Sequence, residues 1–236
     1  FTFDWYIKLF HNEAILRSLL NTVIVALAAS VLATILGTMA ALGIHNMKKA
    51  PRAIIMGATY IPVINPEIIM GISLMLLFRF FVDYFGFKFG FVSLILAHIS
   101  FDVPYVIYNV LPKLRTMNPN LVEAALDLGC NQKMAFFKVV IPEIMPGIFS
   151  GFLMAVTYSV DDFVVSYFTT GVDVQTLSIT IESMTRLKIS PEINALSAII
   201  FIVISAILIT KNVIENRKLR HERALVRAAM SKEGAR

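Results

Sequence analysis

The stretch Glu123-Ala124-Ala125-Leu126-Asp127-Leu128-Gly129, continuing to Val139-Val140-Ile141-Pro142, decides how this chain is read. It is polar and helix-prone, and strongly apolar runs lie on either side of it. Asn118-Pro119 opens a helix: asparagine can cap free amides, and proline in the first helical position gives up no hydrogen bond. Glu123 to Leu128 continue that helix, and Gly129 suits the left-handed position that ends one. Asn131 can cap a second helix running to about Val140, with Pro142 ahead of the next apolar run. The first helix sets Leu121, Ala125 and Leu128 at helical spacing with small Ala124 beside them, a compact face suited to a cleft on a partner. An amphipathic connector lying on a membrane surface would show the same pattern.

The flanking runs place this segment in a membrane protein. Of 236 residues 57% are hydrophobic and 16% charged, with a mean hydropathy of +0.74. A soluble domain carries about a quarter charged residues. Five segments are long enough to cross a bilayer: 19–44, 53–82, 90–111, 144–170 and 193–210. The second and fourth exceed one straight crossing and hold helix-disturbing or ionisable residues, Pro62, Pro66 and Glu67 in one and Asp161 and Asp162 in the other. Broken helices at membrane depth face protein or a water-filled cavity, so both are read as lining a pathway. The fold class is thus an all-α membrane protein, a multi-span helical bundle.

Lysine and arginine set the sidedness. Fifteen of the twenty-one basic residues fall after the first span, in the central loop or in the tail, which makes that side the cytoplasm. The net charge of +5 follows this topology and gives no nucleic-acid signal. The organisation is an extracytoplasmic lead-in at 1–18, a transmembrane domain at 19–210 with its cytoplasmic loop at 112–142, and a basic tail at 211–236. The tail reads as a solvated helix attracted to anionic membrane lipid. Residues 1–18 carry no apolar exporting segment, so a sixth, earlier span is expected to precede them, with a five-span protein as the alternative. The single cysteine, Cys130, rules out an intrachain disulfide and a thiolate metal cluster.

Acidic residues inside spans are costly and mark function by default. Here they are Glu67, Asp102, Asp161 and Asp162, against Arg79 near a span end. Asp161 and Asp162 are adjacent, so on a regular helix they point about 100° apart. Tyr158 and Phe163 flank them, and Tyr105 and Tyr108 stand in the third span beside Pro104. Carboxylates with aromatic faces are the materials for holding an organic ammonium ion. Plainer readings stand beside this one. Asp161 and Asp162 could form an interfacial pair, Glu67 could cap a resumed helix, and the tyrosines could be packing. Asp102 is expected to bond His98, four residues earlier on the same face, and Trp5 could be an interfacial anchor.

The central loop resembles the EAA…G…P loop of type I ABC-importer permeases, with Val139 and Ile141 where that pattern usually has Ile and Leu. The run Ser159-Val160-Asp161-Asp162-Phe163-Val164-Val165-Ser166 is similar to the S-x-D-D-F-V segment of spermidine/putrescine permeases of the PotC type. Trp5-Tyr6, the segment from Ile64 to Leu74 around Pro66-Glu67, and Ser190-Pro191-Glu192-Ile193-Asn194-Ala195-Leu196 agree with the same family. The resemblance implies the type I permease fold, in a bacterial inner membrane, with the C-terminus cytoplasmic. It implies a polyamine route lined by Trp5, Glu67, Ser159, Asp161 and Asp162, to which the aromatic argument adds Tyr105 and Tyr108. Glu123, Ala124, Ala125 and Gly129 would serve coupling to an ATPase. Implied partners are a second permease subunit, a dimeric ABC ATPase, an extracytoplasmic polyamine-binding protein and membrane lipid. No cofactor, catalytic residue or metal ligand is expected in this chain; ATP and Mg would be bound by the ATPase. The chain has no Gly-x-x-x-x-Gly-Lys-Ser/Thr phosphate loop of its own. Open alternatives are an ABC permease for another small solute, a cation-coupled secondary carrier, and an intramembrane aspartyl enzyme. The last needs two carboxylates converging from separate helices, which adjacent aspartates do not supply.

Overall fold

A computed structural model describes residues 4–187, the side chains of 4–6 and 10 excepted, and, further on, residues 194, 197–199, 201, 202 and 205. Among the described residues there is no strand. Two compact units are distinguished: residues 1–13 with 184–236, and residues 14–183. The first unit contributes helix α1 (Asp4–His11). The fifth expected span, 193–210, lies largely outside the described residues, and the tail 211–236 wholly so.

The second unit is a helical bundle. Helix α2 (Glu13–His45) has 33 residues, roughly 50 Å at 1.5 Å per residue, more than a bilayer's hydrocarbon core requires. Its buried stripe is built from small residues, among them Ala26, Ala29, Ser30, Ala33, Gly37 and Ala41. The opposite side exposes Leu20, Val23, Leu27, Val31, Ile35 and Met39. An apolar outside over a small-residue seam is the pattern of a helix between lipid and protein, where small side chains let backbones approach. Gly37 marks the closest point: a Cβ there would stand 2.6 Å from Cβ of Val106.

Helix α5 (Phe91–Thr116) is the centre of the unit, and α8 (Ile141–Asp161) packs along it. Gly147 faces the backbone of Asn109, and Gly151 faces Val106, which lets the two helices lie close. Val106, Val110, Leu111, Leu114, Ile144 and Ala155 form their shared core with Ala41 and Ile44 of α2. The helix does not stop at 111, the end expected for the third span: α5 runs on through Pro112 to Thr116. Proline is tolerated in such a helix because neighbouring groups re-satisfy the backbone it disturbs.

Both long apolar segments are broken. The segment 53–82 is two helices, α3 (Lys49–Ile64) and α4 (Glu67–Phe85), parted at Asn65-Pro66. A residue ahead of proline is pushed to extended backbone, and Asn65 sits at φ −64°, ψ 139°. The segment 144–170 is α8 followed by α9 (Val164–Thr169), parted at Asp162-Phe163. Helix α4 packs against α9, with Gly71 under the ring of Phe168. Helices α2, α4, α5 and the run from Gln132 to Asp161 are long and apolar enough to cross a membrane.

The central loop forms as read from its caps. Asn118 Oδ1 accepts the Asn120 amide at 3.0 Å, and α6 (Asn120–Asp127) follows. Gly129 takes φ +87°; its amide donates to Leu126 O and that of Cys130 to Ala125 O, the paired bonds of a left-handed glycine cap. Asn131 Oδ1 accepts the Met134 amide at 2.8 Å to start α7 (Gln132–Ala135). A π turn over Phe136–Val140 then joins α7 directly to α8. Pro142 therefore lies inside α8, at its first turn, where it was expected ahead of the span. The Ile141 amide reaches back five residues to Phe136 O, and Pro142 follows in the first turn of α8, where its missing amide costs little. Helix α10 (Leu177–Leu187) ends the continuous description.

The tight seam at Gly37 gives a direct test. Replacing Gly37 with Ala forces atoms into Val106 and is expected to cost about 1–3 kcal/mol. Gly43 on the same helix meets nothing within 4 Å, so Gly43→Ala is expected to be neutral or to gain up to about 1 kcal/mol from helix propensity. Thermal unfolding of the two variants in detergent measures the difference.

Candidate functional site

The two breaks face one another across a cavity of about 280 Å³. Pro66 starts α4 and leaves Glu67 as its first residue, exposed to this space. Asp161, the last residue of α8, is likewise exposed on its wall. Tyr105 of α5 and Tyr158 of α8 stack, with ring centroids 4.2 Å apart and planes 23° apart, and both line the cavity. Asn65, Phe101 and Phe163 complete the lining that bears on the chemistry. Two carboxylates with a stacked aromatic pair are chemically suited to a positively charged organic group, by ion pairing and by cation–π attraction. Among the described residues no lysine or arginine lines this cavity.

Asp162 does different work from its neighbour. The chain turns extended at φ −63°, ψ 124°, and the Asp162 side chain folds forward over the next helix. Its Oδ2 accepts the Ser166 amide at 2.7 Å and its Oδ1 the Val165 amide at 3.2 Å. It thus caps α9, satisfying amides that no earlier carbonyl reaches. The side chain is 6% exposed, although the residue contributes to the cavity wall.

Behind the wall lies a buried polar cluster centred on His98, whose ring is 1% exposed. Its Nδ1 stands 2.5 Å from Ser159 Oγ and its Nε2 stands 3.0 Å from Ser166 Oγ. The Asp162 carboxylate is 3.7 Å from Nε2. The expected His98–Asp102 pair is not formed, because both ring nitrogens are taken by the serines. Asp102 is fully buried, and its two carboxylate oxygens have no hydrogen-bond partner. The sequence reading noticed His98 only as a mate for Asp102. The signal for its real partners was the serine at each end of the Ser159–Ser166 run.

The remaining residues fall in separate places. Ser159 is buried against His98 and is not part of the cavity wall. Tyr108 meets Tyr60 edge to face, centroids 5.8 Å apart, and also stands off the wall. Trp5 belongs to α1, with its side chain outside the described ones. In the loop, Glu123 and Ala124 are exposed on α6, Gly129 is exposed at its end and Leu128 is 86% exposed. Ala125 is turned inward at 8% exposure, so the outer face is carried by its neighbours. Among the described residues no three His, Cys, Asp or Glu side chains are grouped to hold a metal ion.

Residues 33–219 match the model of the family described as binding-protein-dependent transport system inner membrane component. The chain is 34% identical over 221 residues to the spermidine/putrescine transport system permease protein PotC of Haemophilus influenzae, covering 94% of this chain and 84% of that protein. It is 31% identical over 220 residues to PotC of Escherichia coli K12, covering 93% and 82%. It is 34% identical over 201 residues to the putrescine transport system permease protein PotI of the same strain, covering 83% and 71%. With interrupted membrane helices enclosing an acidic, aromatic cavity and a capped helical loop between spans, this chain belongs to the binding-protein-dependent inner membrane transport components, as a multi-pass permease subunit of the type I ABC fold.

Proposed function

We propose that this chain is one transmembrane half of an ATP-driven importer of polyamines, with spermidine or putrescine as cargo. One observation carries the reading: Glu67 and Asp161 reach one cavity from two separate helix breaks, beside the stacked Tyr105 and Tyr158. A polyamine is a flexible chain bearing several ammonium groups. It needs carboxylates set apart along its length and apolar or aromatic surface for the methylenes between them. The names of the relatives point to the same cargo. In this reading the adjacent pair divides its work: Asp161 binds, and Asp162 builds the turn that presents it.

The engine is separate in this reading. ATP and Mg sit on a dimeric ATPase that docks on the outer face of α6 through Glu123, Ala124 and Leu128, while Gly129 holds the angle between α6 and α7 and Ala125 keeps α6 seated. A second permease subunit completes the pore, and an extracytoplasmic binding protein hands over the cargo. The basic residues Lys113, Arg115, Lys133 and Lys138 around the loop support a cytoplasmic location for it. The same rule puts the C-terminus in the cytoplasm.

Labelled putrescine uptake into cells or proteoliposomes tests the cargo. Asp161→Asn and Glu67→Gln are each expected to raise the half-saturating concentration roughly tenfold, about 1.4 kcal/mol, with unchanged thermal stability. Asp162→Ala is expected to lower stability by about 0.5–2 kcal/mol, as loss of a helix cap does. Saturable uptake that is indifferent to Asp161 and Glu67 would remove the cavity from the route.

The coupling reading has its own test. Glu123→Lys is expected to cut cargo-stimulated ATP hydrolysis by roughly tenfold or more in the assembled complex, since reversing a charge on a docked face upsets its electrostatic match to the partner. Gly129→Ala, forced to hold a left-handed backbone at about 1–2 kcal/mol, is expected to do the same more weakly. Filter binding of putrescine by both complexes should stay intact.

A further inference from the structure

We propose that His98 is a positioning residue of the transport site, a clamp that holds the α8–α9 break closed from the neighbouring helix α5. The proposal rests on the function set out above, because it assigns a part in presenting Asp161 to the cavity.

The geometry is specific. Ser159 lies in the last turn of α8, before the break, and Ser166 lies in the first turn of α9, after it. One imidazole ring touches both hydroxyls, at 2.5 Å and 3.0 Å, from opposite nitrogens. The eight residues from Ser159 to Ser166, which contain the break, are thus fastened at both ends to a single rigid group on a third helix. A neutral imidazole presents one donor and one acceptor, and a serine hydroxyl can serve as either. The clamp therefore closes with either tautomer. Asp162 sits between the two serines and supplies the cap of α9 from within, so clamp and cap hold the same turn from two sides.

His98 does not touch the cavity. It packs beside Phe101, centroids 5.1 Å apart, and Phe101 is in the cavity wall. Removing the imidazole would leave Ser159 and Ser166, both buried, without these partners, and unmet buried polar groups are costly. The break would then reopen by other pairings, and Asp161 would lose its fixed direction. An ordinary packing histidine would need neither nitrogen satisfied from two different helices across an interruption.

The test uses the whole importer, with its ATPase, partner permease and binding protein, carrying His98→Gln, His98→Leu or Ser166→Ala. Labelled putrescine uptake gives the half-saturating concentration and maximal rate. A cargo-independent readout comes from Phe163→Cys in a Cys130→Ser background, labelled with a positively charged methanethiosulfonate. His98→Leu is expected to raise the half-saturating concentration about tenfold, as for two lost hydrogen bonds, with maximal rate changed far less. The thiol should label several-fold faster. His98→Gln, whose amide can replace one bond, should fall between Leu and wild type. Wild-type half-saturation and wild-type labelling in His98→Leu would overturn the proposal. So would equal losses in Gln and Leu confined to maximal rate, the mark of a merely structural residue. If the wild-type complex takes up no putrescine, the cargo reading fails, and the labelling series alone decides the clamp. If His98→Leu does not assemble, Ser166→Ala decides: faster labelling supports the clamp, and an unchanged rate overturns it.

Discussion

A peptide group at membrane depth has no water to fall back on, so every interruption of a helix there must satisfy its own amides and carbonyls. This chain interrupts two helices and meets the demand by different means. At Asn65-Pro66 the proline has no amide to orphan, and its carbonyl accepts the amides of Ile69 and Met70. At Asp162-Phe163 no proline is present, and the freed amides of Val165 and Ser166 are taken by the Asp162 carboxylate. The first solution needs no hydrogen bond from the Glu67 side chain, which is exposed at the start of α4. The second consumes one acid of an adjacent pair and leaves the other, Asp161, on the cavity wall.

That division explains what the sequence could and could not convey. Four spans among the described residues were legible because apolar length is a strong signal, and the central loop because its caps are local: Asn118, Gly129 and Asn131 act on residues two to five positions away. The stops were less legible. Proline at 112 and 142 suggested helix ends, yet α5 passes through one, and a π turn carries α8 over the other. Proline's local cost is readable; the bundle's ability to absorb it is not. The candidate site followed the same rule. That Glu67 and two aspartates belonged at helix breaks could be read directly. Both aspartates line the cavity, but which one spends its carboxylate on the cap of α9 depends on the turn at Asp162, and the partners of His98 lie 61 and 68 residues away. Periodicity sees four residues along a helix, so it paired His98 with Asp102.

Asp102 is the cost that the arrangement leaves standing. Two carboxylate oxygens without a partner, in a residue with no exposed surface, are among the least favourable groups a protein can bury when ionised. It lies one turn from His98 on α5, close to the Asp162 turn. Functional regions carry such unmet groups more often than cores do, since a fully satisfied core has no reason to rearrange.

The connectivity indicates where rearrangement would act. The helical run from Gln132 to Asp161 has 30 residues, roughly 45 Å if straight, with the capped loop at one end and the cavity at the other. Asp161 rides on α8, which packs along α5 through Gly147 and Gly151. Glu67 rides on α4, which packs against α9 through Gly71 and Phe168. The two carboxylates thus belong to different packed pairs, and the α8–α9 break is the covalent joint between those pairs. On the proposed reading, a displacement delivered to α6 and α7 enters α8 with little loss, because a helix is stiff along its axis. It reaches the joint as a change in the distance between Asp161 and Glu67. On the same reading, binding of a chain with several ammonium groups depends on the spacing of its anionic partners, so a change at the joint would act directly on the proposed site.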